Sequence, residues 1–328
     1  MIAENFRMSK LNMLGLAVVI LMFSVAIFAP FLANEKPYYY KHEGRYKFPI
    51  LEEVFLFEHT VSYPELRGVN FRKLSEDRRN SILMPPIPYS PTEYDLDNML
   101  VPPNGNHLMG TDEQGRDIAS RMVYGAQISL SVGFVAVSIY VLIGIFIGSL
   151  AGYFGGRIDM IVSRLIEIVM CFPTFFLILA VLAFVGPSLL NIMIIIGVTG
   201  WTGIARLVRG EFFKLKEQEF VQSAHVLGYS TLRIIFRHIL PNALTPVLVS
   251  VTFGIASAIL IESSLSFLGF GVQPPTPSWG DILSQSREFM DIAWWLMLYP
   301  GVAIFITVTA FNLVGEGLRD ALDPRAVN

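Results

Sequence analysis

Six long and almost uncharged apolar stretches constrain this chain more than any other feature of its sequence. A helix that crosses about 30 Å of hydrocarbon needs roughly 20 apolar residues. The first stretch is longer than the apolar core of a signal peptide and no clear cleavage site follows it, so we expect it to be retained. The sequence therefore predicts an all-α polytopic membrane protein with six transmembrane helices, at about 11–32, 128–153, 161–185, 189–207, 244–268 and 293–313.

The composition supports a membrane protein and excludes several other classes. Of the 328 residues 53% are hydrophobic and 16% are charged, whereas ordinary soluble domains carry about 25% charged residues. A net charge of −3 without a basic block argues against a nucleic-acid partner. The single cysteine, Cys171, excludes an internal disulfide, and we expect it to be buried within the third span. The five histidines lack metal-ligand spacing, so no metal site is expected.

The distribution of Lys and Arg predicts the orientation of the spans. If the N-terminus is cytoplasmic, the inner segments carry twelve basic residues, and the short outer loops carry only Arg287. The other eleven basic residues lie in the long first loop, where charge has little influence on topology. We therefore expect both termini to be cytoplasmic. The predicted segments are an inner N-terminus at 1–10, an irregular, proline-rich outer loop at 33–127, a core at 128–318 with an inner loop at 208–242, and an inner C-terminus at 319–328.

The inner loop has the pattern helix, glycine, helix, proline. Between Glu217 and Leu227 the apolar residues Phe220, Ala224 and Leu227 fall on one helical face. Gly228 follows at a position where glycine ends a helix, and Ser230 can cap a second short helix. Because proline cannot continue an ordinary helix interior, Pro241 is expected to close that second helix. This spacing alone is also typical of an ordinary amphipathic hairpin on a membrane surface.

The same loop, EFVQSAHVLGYSTLRIIFRHILPN, resembles the cytoplasmic signature of binding-protein-dependent ABC importer permeases. The family pattern is Glu-Ala-Ala, three residues, Gly, nine residues, Ile, one residue, Leu-Pro. The chain departs from it at Gln222, Ser223 and His238, and the ending RHILPN is similar to the oligopeptide and dipeptide branch. The resemblance implies that the loop couples the spans to an ATPase through Glu219, Phe220, Gln222, Ser223, Ala224, Leu227, Gly228, Leu240 and Pro241.

Three further blocks are similar to the same branch: LMGTDEQGRDIASRMVYGAQISL from Leu108, ESSLSFLGFGVQPPTPSWG from Glu262 and GEGLRDALDPR from Gly315. The resemblance implies a type I ABC importer permease fold in the bacterial inner membrane. It also implies a homologous permease subunit, one or two ATPase subunits that bind ATP and Mg²⁺, an extracytoplasmic substrate-binding protein and surrounding lipid. The branch carries short peptides most often, but also nickel, glutathione and other small solutes. No cofactor is expected on this chain.

Other features of the chain leave alternatives open. The sequence has no Walker A motif and no hydrolase motif, so we expect no enzyme activity. An ion-gradient-driven transporter and a membrane scaffold are the rival functions, although no paired mid-membrane acids favour the first. Gly144, Gly148 and Gly152 give the second span a smooth face, for helix packing or for sliding during gating. Glu167 is expected to pair with Arg164, and Glu262 to make structural hydrogen bonds near the outer interface.

Overall fold

The computed structural model describes residues 9–42, 45–53, 63–66, 68–76 and 81–322. Most of the two predicted cytoplasmic termini, 1–10 and 319–328, therefore lies outside the described residues. The helices are α1 (Lys10–Ile27), α2 (Ala29–Leu32), α3 (Phe71–Glu76), α4 (Ile118–Phe154), α5 (Gly156–Met170), α6 (Thr174–Val185), α7 (Leu189–Lys216), α8 (Glu219–Val226), α9 (Thr231–Phe267), α10 (Trp279–Phe289) and α11 (Trp295–Leu322). The strands are β1 (Tyr39–His42), β2 (Arg45–Lys47) and β3 (Ile82–Leu83), and single 3₁₀ turns lie at Pro49–Glu53, Pro64–Leu66 and Leu96–Asn98.

Five of these helices are long and apolar enough to cross a membrane: α1, α4, α7, α9 and α11. The pair α5 and α6 makes a sixth span if its two halves are counted together. The described parts of 1–19, 131–265 and 306–328 form one compact unit, and those of 20–130 and 266–305 form a second. The helices extend further than the hydropathy of the sequence predicts, because α4 begins at Ile118 and α7 continues to Lys216.

The third predicted span, 161–185, is not a straight helix. It is divided into α5 and α6, which meet at an angle of 80°. Pro173 disfavours helical conformation at the residue before it, so the backbone breaks at Cys171–Pro173. Cys171 lies in this break and is exposed, so the expectation of a buried cysteine is wrong.

Pro241 does not close the second short helix, which is a further correction. The backbone from Thr231 continues through a π-helical segment, Ile234–Ile239, into the long helix Leu240–Phe267. In this wider turn the N–H of Leu240 donates to the carbonyl of Ile235, five residues earlier. The wider turn relieves the clash that a proline ring makes in an ordinary α-helix, so the helix passes through Pro241 without ending.

The described residues of the long first loop contain more regular structure than its prolines predict, and the loop ends at residue 117. It contains an antiparallel sheet with the strand order β2-β1-β3, in which Tyr40 lies opposite Lys47 and Ile82. Tyr40 packs edge-on against Phe71 with the ring centroids 5.6 Å apart. These two residues form a small hydrophobic core with Leu66, so the segment has a core of its own.

The second unit contains a buried group of charges around the first turn of α4. The Nε of Arg116 lies 2.7 Å from Asp112 Oδ2, and the Nη2 of Arg121 lies 2.5 Å from Asp281 Oδ2 on α10. Trp279 adds an indole N–H that donates to the carbonyl of Met122 at 3.0 Å. Burial raises the pKa of Asp281, and the positive charge of Arg121 opposes this rise. The charges therefore tie the start of α4 to α10.

Candidate coupling site

The short helix α8 ends in a glycine turn, as its sequence predicts. Gly228 follows the last helical residues with a φ of +75°, in the left-handed region. Its N–H donates to the carbonyl of His225 at 3.0 Å, and the N–H of Tyr229 donates to the carbonyl of Ala224 at 3.1 Å. These two bonds form a Schellman motif, which satisfies the last carbonyls of the helix. A Cβ at residue 228 would meet no described atom within 4 Å, so glycine is favoured there by the backbone conformation and not by lack of space.

One face of α8 is buried against the rest of the chain, and the other is exposed. Val221 and Ala224 are buried in this chain, with exposed fractions of 0% and 2%. Phe220 and Leu227 are exposed, at 43% and 69%, and Val226 is more exposed still. The three residues that the spacing places on one helical face therefore differ in exposure, because Ala224 is buried while Phe220 and Leu227 are exposed. Ala224 belongs to the face that seats α8 on its own chain.

Aromatic and cationic side chains hold α8 and the turn in place. The imidazole of His225 stacks on the ring of Tyr153, with the centroids 6.5 Å apart. Lys216, at the end of α7, donates from Nζ to the carbonyl of Tyr153 at 2.8 Å. After the turn, the guanidinium of Arg233 lies over the ring of Tyr229 at 4.2 Å. The stacking of His225 on Tyr153 thus joins α8 to α4, and the contact of Arg233 with Tyr229 lies directly after the turn.

The other residues predicted for coupling occupy two different places. Glu219, Gln222 and Ser223 are exposed on α8, and the Nε2 of Gln222 donates to the carbonyl of Glu217 at 3.1 Å. Leu240 and Pro241 lie beyond the π-helical segment, within α9. Ser230 stands at the start of α9 in extended conformation, and its side chain makes no capping hydrogen bond.

The three glycines of α4 lie directly against α7. A Cβ at Gly144 would meet the Cβ of Ile204 at 2.6 Å, and one at Gly148 would meet the carbonyl oxygen of Ala205 at 2.5 Å. A Cβ at Gly152 would likewise meet the Cβ of Phe212 at 2.5 Å. The two helices therefore approach so closely along this face that no side chain fits between them.

Of the membrane acids singled out in the sequence, Glu167 pairs with Arg164 at 2.6 Å, as predicted. Both side chains are mostly exposed, so this ion pair contributes little stability. Glu262 is fully buried, and the hydroxyl of Ser263 lies 3.4 Å from its Oε2.

Sequence reasoning assigned no residue to a solute pathway, but the first unit contains a cavity of about 460 Å³ between four helices. Its wall includes Gly200 and Gly203 of α7 and Ser250, Gly254 and Ser257 of α9. Small residues at spacings of three and four are visible in the sequence. The sequence does not show that the small residues of α7 lie opposite those of α9, and this juxtaposition forms the wall of the cavity.

The fold is that of a polytopic membrane protein in which the short helix α8 and its glycine turn connect two spans, α7 and α9. The chain belongs to the family described as binding-protein-dependent transport system inner membrane component, whose model matches residues 144–328. Residues 1–49 match the family described as the N-terminal TM domain of oligopeptide transport permease C. The protein is thus a multi-pass inner-membrane permease of an ABC importer, a class that works with a separate ATPase and is not itself an enzyme. This assignment favours the ABC importer over the gradient-driven transporter and the scaffold.

Relatives with curated names agree with this assignment. The dipeptide transport system permease protein DppC of Alkalihalophilus pseudofirmus is 47% identical over 70% of this chain and 75% of its own length. DppC of Haemophilus influenzae is 44% identical over 75% of this chain and 85% of its own. The glutathione transport system permease protein GsiD of Pectobacterium atrosepticum is 41% identical over 73% of this chain and 80% of its own.

A solved structure shares the fold. The inward-facing MetNI methionine ABC transporter, in its native crystal form, aligns with a TM-score of 0.53 at 19% sequence identity. The alignment covers 63% of this chain and 98% of the chain of known structure. This likeness supports the type I importer fold that the sequence predicts.

Proposed function

We propose that this chain is a permease subunit of an ATP-driven importer of short peptides and that it forms half of the translocation pathway. The names of its relatives support the substrate class, since three of them are dipeptide or di/tripeptide permeases that are 40–47% identical to it. A homologous permease subunit supplies the other half of the pathway. An extracytoplasmic binding protein delivers the peptide and sets most of the selectivity.

In this proposal both termini and α8 face the cytoplasm. The support is the asymmetry of basic residues, twelve on that side against one in the short outer loops. ATP and Mg²⁺ bind to two partner ATPase subunits, because this chain has no phosphate-binding loop of its own.

The exposed side chains of α8 form the docking surface for one ATPase subunit. Phe220 and Leu227 enter an apolar groove, in the way that an amphipathic helix binds a partner. The buried contacts of Val221 and Ala224 make α8 move together with the spans. ATP binding can shift the spans between inward-open and outward-open states only if the ATPase contacts α8 differently in the two states.

Uptake measurements on the whole assembly test the proposed function. Membrane vesicles or proteoliposomes that contain both permeases, the ATPases and the binding protein should accumulate labelled L-alanyl-L-alanine only with ATP. Accumulation should persist when an ionophore collapses the ion gradients. Gradient-driven uptake without ATP would contradict the proposal.

Glutathione is the second candidate solute, because a glutathione permease is among the relatives. Competition decides between the two candidates. A tenfold excess of unlabelled glutathione should leave dipeptide uptake unchanged if dipeptides are the substrate. ATP-driven uptake of labelled glutathione in place of the dipeptide would show that glutathione is the substrate. Nickel, which the resemblance also allows, is tested by adding the metal in the same assay.

Phe220→Ala tests the docking surface. Loss of a large apolar side chain at the centre of an interface costs about 1–2 kcal/mol, which is roughly tenfold in affinity. We expect co-purification of the ATPase in detergent to fall by that factor. Phe184→Ala is the matched control, because Phe184 is a 91% exposed phenylalanine on α6, away from α8. Equal retention of the ATPase by both variants would exclude the assigned surface.

Substitutions at Gly228 test whether the turn fixes the angle of α8. Gly228→Asn retains a residue that tolerates the left-handed conformation, whereas Gly228→Val adds backbone strain of about 1–2 kcal/mol. ATP-driven uptake should survive the first change and fall strongly with the second. The amount of inserted protein should stay the same, and comparable uptake by the two variants would remove the turn from the coupling mechanism.

A further inference from the structure

The cavity in the first unit is bordered by four helices of this one chain. Each helix contributes residues to the lining: examples are Tyr140 of α4, Thr174 of α6, Gly200 of α7 and Ser257 of α9. Its volume of about 460 Å³ is in the range of small-molecule sites, about 300–1,000 Å³. Thr174, Gly203 and Ser257 are exposed, so the cavity opens on the surface of the chain.

Four hydroxyl groups line this cavity without a hydrogen-bond partner in the described part of the chain. They belong to Tyr140, Thr174, Ser250 and Ser257. Their neighbours behave differently, because Thr199 donates to the carbonyl of Ile195 at 2.8 Å and Thr252 donates to that of Val249 at 2.7 Å. Hydroxyls in membrane helices usually bond to their own backbone in this way. The four at the cavity are left for a ligand or water.

Tyr140 is the deepest of the four. Only 8% of its surface is exposed, yet its hydroxyl makes no hydrogen bond within the described residues. Its ring lies between two glycines that also line the cavity. A Cβ at Gly200 would meet its Cδ1 at 3.0 Å, and a Cβ at Gly254 would collide with its hydroxyl. The absence of side chains at these two positions lets a buried polar group reach the cavity.

The chemistry of the wall identifies a class of ligand. None of the described residues that line the cavity is Asp, Glu, Lys or Arg, so a fixed charge is not recognised there. Hydroxyls both donate and accept, as do the amide N–H and carbonyl groups of a peptide. We infer that this wall is the chain's part of the translocation pathway and that its four hydroxyls bind the peptide main chain during passage. The inference rests on the proposed function and adds the residues that contact the solute.

Two other occupants of the cavity fit these observations less well. Lipid chains cannot satisfy hydroxyls, and an unsatisfied polar group in hydrocarbon is costly. A helix of a second permease subunit could cover the small residues. It would leave the depth at Tyr140 unfilled unless it inserted a long polar side chain. A passing peptide supplies polar groups at every residue and needs no side chain of a given kind.

Thiol accessibility tests whether the wall faces water. In a Cys171→Ser background of the full assembly, Ser257→Cys should react with a charged methanethiosulfonate reagent in vesicles. Saturating binding protein and L-alanyl-L-alanine with ATP should slow the reaction. A lack of reaction with the charged reagent would overturn the inference. Reaction with a lipid-soluble maleimide alone would identify lipid, and reaction with neither reagent would identify a protein partner.

Tyr140→Phe tests the hydroxyl while it keeps the ring in place. Loss of one hydrogen bond in transit should lower the maximal uptake rate about two- to tenfold. The concentration of binding protein that gives half-maximal uptake should not change. Thr252→Val is the control, because that hydroxyl already bonds to its own helix, and it should transport like the wild type.

Gly203→Leu tests the volume of the cavity. A Cβ at residue 203 would meet no described atom within 4 Å, so the leucine side chain can narrow the cavity, and this variant should also lower uptake.

Wild-type uptake by Tyr140→Phe, or an equal loss in Thr252→Val, would contradict the inference while the proposed function stands. An assembly that imports no dipeptide at all contradicts the proposed function. In that case the thiol reaction at residue 257 still decides whether the wall lines an aqueous path.

Discussion

The first turns of α4 are tied to the structure by charged and indole groups, whereas its last turns pack through glycines. At the first end, Arg121 pairs with Asp281, and Trp279 donates to the carbonyl of Met122. At the other end, Gly148 and Gly152 leave no space for a Cβ between α4 and α7. One helix of 37 residues thus uses two different means of attachment.

The two ends of α4 should therefore respond differently to substitution. A buried ion pair fails abruptly, because removal of one partner leaves a charge without compensation. A close-packed face responds to volume, because each added atom must displace a neighbour. The first end therefore depends on the identity of its residues and the second on their size.

The largest effect is expected from Arg121→Met. This change leaves the buried carboxylate of Asp281 without its guanidinium, and we expect a loss of about 3–5 kcal/mol in the free energy of unfolding. Thermal unfolding of the purified protein in detergent, followed by size-exclusion chromatography, measures it. The double variant with Asp281→Leu should recover much of the loss. Equal stability of the single and double variants would show that the charges are not coupled.

The same variant should acquire a pH dependence. Burial already raises the pKa of Asp281 above its unfolded value, and loss of Arg121 removes the larger of the two positive charges that oppose this rise. A raised carboxyl pKa favours the folded state below the unfolded value of about 4, and that contribution disappears as the pH rises through the folded value. The deficit of Arg121→Met should therefore grow from acid toward neutral pH, and a deficit independent of pH would contradict this account.

A smaller effect is expected from Gly148→Ala. The new Cβ would lie 2.5 Å from the carbonyl oxygen of Ala205, so the two backbones must separate. Overpacking of this kind costs about 1–3 kcal/mol. Gly210→Ala on α7 is the matched control, because its Cβ meets no described atom within 4 Å. The control should be neutral or gain about 0.5–1 kcal/mol, since alanine favours the helix. Equal losses of stability in Gly148→Ala and Gly210→Ala would contradict the close packing of α4 against α7 at Gly148.

The smallest effect is expected from Ser129→Ala, at the polar end. The hydroxyl of Ser129 accepts from the backbone N–H of Trp279 at 3.3 Å, a long hydrogen bond. Its loss should cost about 0.5–1 kcal/mol. Ser138→Ala, which removes an exposed hydroxyl bonded to its own helix, should change the stability less. A cost at Ser129 near that of Arg121→Met would mean that hydrogen bonds, not charge pairing, dominate this end.

The sequence was sufficient for features that depend on local composition and on short spacing. Hydropathy located the spans, and the position of Gly228 after an amphipathic segment predicted the glycine turn. The interval of three residues between Arg164 and Glu167 predicted their ion pair. Each of these depends on atoms that are close together along the chain, so the sequence contains the information directly.

The corrections concern geometry that hydropathy does not contain. The mean apolarity of 161–185 is the same for a straight span and for two helices that meet at 80°, so the exposure of Cys171 was not predictable. The sequence predicts that Pro241 ends a helix, because proline cannot continue an ordinary helix interior. The widened π turn before Pro241 depends on packing, which the sequence does not show directly. Ala224 lies on the inner face because buried residues of α9 lie against α8, and periodicity alone cannot say which side of a helix a neighbour covers.

The passage of α9 through Pro241 has a mechanical consequence. From Thr231 to Phe267 the helical backbone has no break, although Pro246 lies within it, and its 37 residues give a contour of about 55 Å. A rod of that length tilted by 5° about its middle would displace each end by about 2 Å in opposite directions. A small push beside the glycine turn would thus reach the other end of this continuous helix as a movement of similar size.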